Sequence, residues 1–129
     1  MALLPPFSLP GRFWRGNLHT HSNLSDGALD PKAVVDAYKA AGYDFMQLSE
    51  HFIGNFKWPI ADTRAFRSNS FTTLIGAELH APETKVGELW HIVAAGLPLD
   101  FPKNRDGETG AELAATISEQ LGREPLHLA

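Results

Sequence analysis

Short segments that read as β-strands alternate along this chain with segments that read as helices, and this alternation constrains the fold most. Residues 43–49 are mostly apolar and residues 90–95 carry an Ile-Val-Ala-Ala run, as expected of strands buried on both faces. Residues 15–19 and 71–77 are predicted as two further strands. This order favours an α/β fold with a largely parallel sheet.

Two helices are predicted from signals at their ends. Asp30 is a typical N-cap, Pro31 suits the first helical position, and Gly42 is typical of a helix end. A second helix is predicted to begin after Thr109 and to end at Gly122, because apolar residues recur between them at helical spacing. The sequence therefore predicts one helix after the first strand and one after the fourth.

The chain has 129 residues, which fits one domain with one hydrophobic core. We expect residues 1–15 to form a lead-in segment, since prolines and a glycine interrupt regular structure there. Residues 16–129 are expected to form the domain. Residues 124–129 read as the start of a fifth strand without a following helix. The chain is therefore interpreted as the front part of a larger barrel, truncated at its C-terminus, whose open sheet edge could allow homo-oligomers.

Charge and composition exclude several classes of protein. The formal net charge is −4, so binding to nucleic acid is possible but not indicated. Cysteine is absent, which excludes disulfides, a thiolate nucleophile and thiolate metal sites. No apolar run could span a membrane and no targeting signal precedes the domain, so a cytoplasmic protein is expected. Any metal must be bound by histidine and carboxylate.

Such side chains recur near one end of four successive predicted strands. His19 and His21 follow the first strand, His51 the second and Glu78 the third, while His91 begins the fourth. Residues i and i+2 of an extended segment point the same way, so His19 and His21 can reach one ion. In α/β barrels the active site lies at the C-terminal ends of the strands. The combination predicts a metal site.

Several of these segments resemble motifs of one known superfamily. The sequence GNLHTHSNLSDG at residues 16–27 resembles the first motif of the PHP (polymerase and histidinol phosphatase) superfamily. Residues 49–51 are similar to its second motif, which usually has aspartate in the middle, and residues 76–78 to its third. His91 stands where the next metal-binding histidine is expected. The resemblance runs from residue 16 to the end of the chain.

The resemblance implies a distorted (β/α)7 barrel of mostly parallel strands with up to three divalent ions, Zn, Mn or Fe, at its mouth. His19 and His21 would bind the first ion, and Glu78 would bridge the first and second ions. The complete set of implied metal ligands is His19, His21, Asp26, His51, Glu78 and His91.

Within that set, His91 would bind the second ion, and Asp26 and His51 the third. The implied activity is a metal-dependent phosphoesterase that hydrolyses a small phosphorylated substrate with metal-activated water. Glu78 and His51 are the implied catalytic residues.

The sequence also departs from the family pattern. Glu50 replaces the usual aspartate and is expected to lie behind His51 and steer it. The ligands that the family takes from later strands, a histidine before proline and an Asp-x-His, are absent. His127 is read as a strand residue. His80, which is close to Pro82, is predicted to be a solvated loop histidine, with a substrate-side group near the metals as the alternative.

Two other functions fit the sequence. One is a truncated, catalytically silent domain that binds metal or serves in interactions, as the absent ligands suggest. The other is an amidohydrolase-type enzyme, which also begins with His-x-His on a barrel strand. That type commonly needs a carboxylated lysine on a buried strand, and no lysine lies in a buried-looking strand here.

Overall fold

The computed structural model describes residues 10–82 and 84–121 and has a mostly parallel five-stranded sheet with two helices within that part of the chain. Two short 3-10 turns, Gly54–Phe56 and Arg64–Phe66, lie between the third and fourth strands. In chain order the elements are β1 (Gly16–Asn17), α1 (Pro31–Ala40), β2 (Phe45–Leu48), β3 (His51–Phe52), β4 (Thr72–Ala81), β5 (Trp90–Ala95) and α2 (Gly110–Gln120).

Strand β4 is the centre of the sheet. β2 pairs in parallel with its first half, β3 pairs in parallel with Glu78 and Leu79, and β1 pairs in parallel with β2. β5 pairs with residues 76–81 in the antiparallel sense. The connection from Ala81 to Trp90 is too short for the crossover that a parallel pair requires, so β5 must run the other way. The predicted α/β fold and mostly parallel sheet are confirmed, and the sheet is compatible with part of a barrel.

Strand β4 is longer than the prediction of residues 71–77. It continues to Ala81 because β3 and β5 flank its second half and supply hydrogen-bond partners on both edges. Glu78 and His80 are therefore strand residues and do not belong to a following loop. The first predicted strand, in contrast, is reduced to the two residues that pair with β2.

Both helices begin where the sequence predicts. An Asp30 side-chain oxygen accepts a hydrogen bond from the Ala33 amide at 3.0 Å, and Pro31 is the first residue of α1. Thr109 and Glu112 form a reciprocal capping box at the start of α2. The predicted end of α2 at Gly122, the fifth strand at 124–129 and most of the lead-in segment lie outside the described residues.

Two apolar clusters support the sheet. The first packs α1 and the irregular segment before β4 against β2, and the second packs α2 and the loop after β5 against β4. The buried members of the first cluster are Val34, Val35, Met46, Leu48, Ala61 and Phe71, and those of the second are Phe52, Ala77, Leu79, Ala81, Ala94, Leu97, Phe101, Leu113 and Ile117.

No helix among the residues described is long and apolar enough to cross a membrane.

Candidate metal centre

The strand register brings together side chains that are distant in sequence. His51 is the register partner of Glu78 across the β3–β4 pair, and His80 is the partner of His91 across β4–β5. Glu78 and His80 are two residues apart on β4, so they lie on the same face of the sheet. His19 and His21 reach this face from the segment after β1, because the Ser49 amide bonds to the Thr20 carbonyl at 2.8 Å.

Five of the six histidines of the chain join two carboxylates in this cluster, and His127 lies outside the described residues. Within each of three groups the potential ligand atoms lie within 4.8 Å of one another. The structure thus brings together all six residues predicted as ligands and adds His80. The groups are His51, Glu78, His80 and His91; His19, His21 and Glu78; and His21, Asp26 and His51.

Glu78 lies at the centre of this arrangement and is only 3% exposed. Its Oε1 lies 2.8 Å from His91 Nδ1, and its Oε2 lies 2.9 Å from His51 Nδ1. Oε2 also lies 3.3 Å from His21 Nε2 and 3.5 Å from His19 Nε2, yet it accepts no hydrogen bond of good geometry. A buried carboxylate oxygen with imidazole nitrogens around it and no hydrogen bond is available to bind a metal ion.

The spacing of the donor atoms fits a small divalent cation. Ligands about 2.0–2.1 Å from a tetrahedral ion lie about 3.3 Å from one another. His19 Nε2 and His21 Nε2 are 3.1 Å apart, and with Glu78 Oε2 they form a triangle whose other edges are 3.3 and 3.5 Å. The spacing of these three atoms therefore fits a single ion.

Asp26 lies at the outer side of the cluster, and its side chain is 55% exposed. Its Oδ1 is 3.2 Å from His21 Nδ1, and its Oδ2 is 3.2 Å from His51 Nε2. The turn that carries Asp26 is held by a hydrogen bond from the Gly27 amide to the Ser22 carbonyl at 2.8 Å. A Cβ at residue 27 would lie 2.6 Å from the His21 carbonyl oxygen, so this close turn requires glycine.

His80 is the residue that the sequence analysis misassigned. The prediction of a solvated loop histidine is wrong, because β4 extends past it and leaves its side chain buried, 9% exposed. His80 Nε2 lies 3.2 Å from His51 Nδ1, and His80 Nδ1 is buried without a hydrogen-bond partner. The alternation of Glu78 and His80 was the available signal, but it applies only if the strand extends that far.

Glu50 does not steer His51, contrary to the prediction. The carboxylate of the fully buried Glu50 bonds to the turn after β1 instead of to the His51 ring. Its carboxylate accepts hydrogen bonds from the Ser22 amide at 2.9 and 3.1 Å and from the Ser22 and Ser25 hydroxyls, each at 2.5 Å. Glu50 therefore holds the turn that leads to Asp26.

The protonation states favour metal binding. Burial is the largest influence on Glu78 and opposes its ionisation, but the hydrogen bond from His91 and the nearby His51 and His19 outweigh it and lower its pKa. Burial, followed by repulsion from a neighbouring histidine, lowers the pKa of both His21 and His80. At neutral pH the lowered pKa values leave Glu78 ionised and His21 and His80 neutral, the forms that bind divalent metals.

The cluster is open on one side. The side chains of His19 and His91 are 51% and 53% exposed, whereas those of His21 and His51 are 19% exposed. Phe56, which follows β3 in a 3-10 turn, stacks on His51 with ring centroids 6.0 Å apart. His19 and His91 are therefore accessible from solvent, while Phe56 covers His51 from the side.

Fold and site together define an α/β protein whose buried His/Glu cluster could hold a metal ion. No protein-family model, curated protein or solved structure matches the chain.

Proposed function

We propose that this protein is a metal-dependent phosphoesterase of the PHP type that hydrolyses a small phosphorylated substrate. The observation that carries the proposal is Glu78, whose two carboxylate oxygens face different histidines. Oε1 faces His91 and Oε2 faces His21 and His19, so one carboxylate can be shared between two ions. Zn, Mn or Fe suits such imidazole and carboxylate ligands.

The resemblance to the PHP motifs gives independent support. Residues from the three motifs and His91 are far apart in sequence, yet their donor atoms lie within a few ångströms. Convergence of this kind is expected if the motifs belong to one site, and a partial (β/α)7 barrel is the proposed architecture. A phosphate ester is the substrate class that the resemblance implies.

The residues of the chain have distinct roles in this proposal. Bound divalent ions would polarise the phosphoryl oxygens and lower the pKa of water. Glu78 and His51 form the inner part of the site. The buried charge of the Glu78 carboxylate holds the histidines on both sides in position. His19 and His91 border the open side, where the substrate enters.

The test is hydrolysis of p-nitrophenyl phosphate and bis-p-nitrophenyl phosphate by the purified chain supplied with Mn, Zn or Fe(II). We expect activity that a chelator abolishes and that the His19→Ala/His21→Ala double variant lacks. Asp36→Asn, an exposed change on α1 that removes the partner of Lys32, is the matched control and should remain active.

Three outcomes would reject the proposal in different ways. Stoichiometric metal with no ester hydrolysis would identify a catalytically silent metal-binding domain. Preferential hydrolysis of a cyclic amide would identify an amidohydrolase-type enzyme. Ester hydrolysis that survives both the chelator and the double variant would show that the activity does not belong to this cluster.

A further inference from the structure

His21 and His51 each lie between two carboxylates. His21 has Nε2 at 3.3 Å from Glu78 and Nδ1 at 3.2 Å from Asp26. His51 is reversed, with Nδ1 at 2.9 Å from Glu78 and Nε2 at 3.2 Å from Asp26. Both rings therefore turn one nitrogen towards the buried Glu78 and the other towards the exposed Asp26.

A neutral imidazole has one N–H group and one lone pair, so it can bind a single ion and donate a single hydrogen bond. The nitrogens of His21 and His51 that face Glu78 also face further histidines, His19 and His80 respectively. The nitrogens that face Asp26 have a carboxylate oxygen each. If each ring binds metal through the nitrogen that faces Glu78 and carries its N–H group on the nitrogen that faces Asp26, all four ring nitrogens have a partner.

A second contact fixes the proton of His21 independently. The Ser25 hydroxyl donates its hydrogen to the Glu50 carboxylate, which only accepts. The 3.3 Å contact between His21 Nδ1 and Ser25 Oγ then requires the hydrogen on His21 Nδ1. The same atom faces Asp26, so His21 Nε2 carries the lone pair. Glu50 and Ser25 thus select the tautomer that binds metal on the Glu78 side.

We infer that Asp26 is a positioning carboxylate that accepts N–H hydrogen bonds from His21 and His51, and that the centre holds two ions, without a third at Asp26. This inference rests on the metal centre of the proposed function, although not on its phosphoesterase activity. It differs from the role that the family resemblance implies for Asp26.

His80 completes the ligands of the second ion. With His51 directed towards Glu78, that ion has four protein donors, His51, Glu78, His80 and His91. The first ion has three, His19, His21 and Glu78, and keeps a position free for substrate or water. The second ion is therefore the more firmly held of the two, and it needs no ligand from any other part of a barrel.

The first test is zinc stoichiometry by elemental mass spectrometry, after loading and gel filtration. We expect two ions in the unmodified chain and in the control Asp36→Asn. Asp26→Asn should also bind two, with affinity about 10–100-fold lower, as expected when the outer partner of a ligand is altered. His80→Gln should bind the second ion more weakly than the unmodified chain does, because it leaves that ion three protein donors, as many as the first ion has.

Three ions in the unmodified chain, one of them lost in Asp26→Asn, would overturn the inference. No bound zinc would overturn it together with the metal centre of the proposed function. Two ions in a protein that hydrolyses no phosphate ester would overturn the proposed activity alone. Thermal unfolding of each variant separates a lost ion from a lost fold.

The second test needs no variant. Long-range ¹H–¹⁵N spectra of the zinc-loaded chain should show the ring proton of His21 on Nδ1 and that of His51 on Nε2. The two tautomers are opposite because His21 faces Asp26 with Nδ1, whereas His51 faces it with Nε2. A zinc-loaded His21 with its proton on Nε2 would overturn the inference even if the stoichiometry were two.

Discussion

His80 and His91 are register partners across the antiparallel β4–β5 ladder, and their imidazole centroids lie 4.4 Å apart. Glu78 lies two residues before His80 on the same face of β4. Three potential metal donors are thus fixed by a single strand pair that packs against α2 and the loop after β5. Such a site is rigid, because the ladder determines the spacing of its ligands.

Replacement of Glu78 by glutamine should abolish firm binding of both ions. Glutamine keeps the shape and one carbonyl oxygen but removes the charge that both groups of histidines face. We expect zinc affinity, measured by competition with a chromophoric chelator, to fall by more than ~100-fold, the largest loss typical when a residue hydrogen-bonded to a metal ligand is altered. The control is Glu119→Gln on the exposed face of α2. Unchanged affinity in Glu78→Gln would contradict a shared carboxylate.

Metal should stabilise the folded chain, because the donors converge only after folding. Zinc at 100 times its dissociation constant should raise the free energy of unfolding by about 2.7 kcal/mol for each site. Urea unfolding with zinc and with EDTA measures this difference. Equal midpoints in the two conditions would show that the folded chain has no site, and Glu78→Gln should remove the difference.

The metal-free protein should lose stability as the pH falls through the histidine range. Burial lowers the pKa of His21 and His80 below the ordinary value of 6.5, so the unfolded chain binds more protons than the folded chain in that range. The contribution of these two neutral histidines to the free energy of unfolding is complete above pH 6.5, and it is lost as the pH falls through their lowered pKa values. Urea unfolding in EDTA between about pH 5 and 8, the range in which histidine changes its charge, measures the slope. His80→Gln should have a shallower slope; an identical slope would argue against a buried, neutral His80.

Replacement of Glu50 by glutamine should destabilise the turn before α1. The Ser22 amide and the Ser22 and Ser25 hydroxyls all donate hydrogen bonds to the Glu50 carboxylate. The NH2 group of glutamine is itself a donor, so it would leave at least one of these groups without an acceptor. An unsatisfied buried polar group costs about 1–3 kcal/mol, and urea unfolding should show a loss of this size. Zinc affinity should fall as well, since the same contacts orient His21. A variant with the stability of Glu119→Gln would contradict this role.

Replacement of Thr109 by alanine should weaken the start of α2. The Thr109 hydroxyl accepts a hydrogen bond from the Glu112 amide, and loss of such a cap costs about 1 kcal/mol. Ser118→Ala, further along the same helix, removes a hydroxyl that bonds only to the Ala114 carbonyl and should be nearly neutral. Equal unfolding midpoints for the two variants would contradict the capping box.

Local features of the fold could be predicted from the sequence because their causes are local. Asp30 and Thr109 cap helices through hydrogen bonds to amides three residues ahead. The extent of β4 could not be predicted, since its second half depends on pairing with β3 and β5. The direction of the Glu50 side chain depends equally on its surroundings, because its donors belong to a turn 25–28 residues away.

The sequence by itself determined the chemistry available to this protein: histidine and carboxylate without cysteine, in segments whose apolar patterns specify strands and helices. The resemblance also implied six metal ligands, and the structure brings these six side chains together. Only the tertiary structure decided that His80 joins them and which nitrogen of each ring faces Glu78. Those properties depend on strand register and on side-chain contacts between distant segments, which no local pattern of residues specifies.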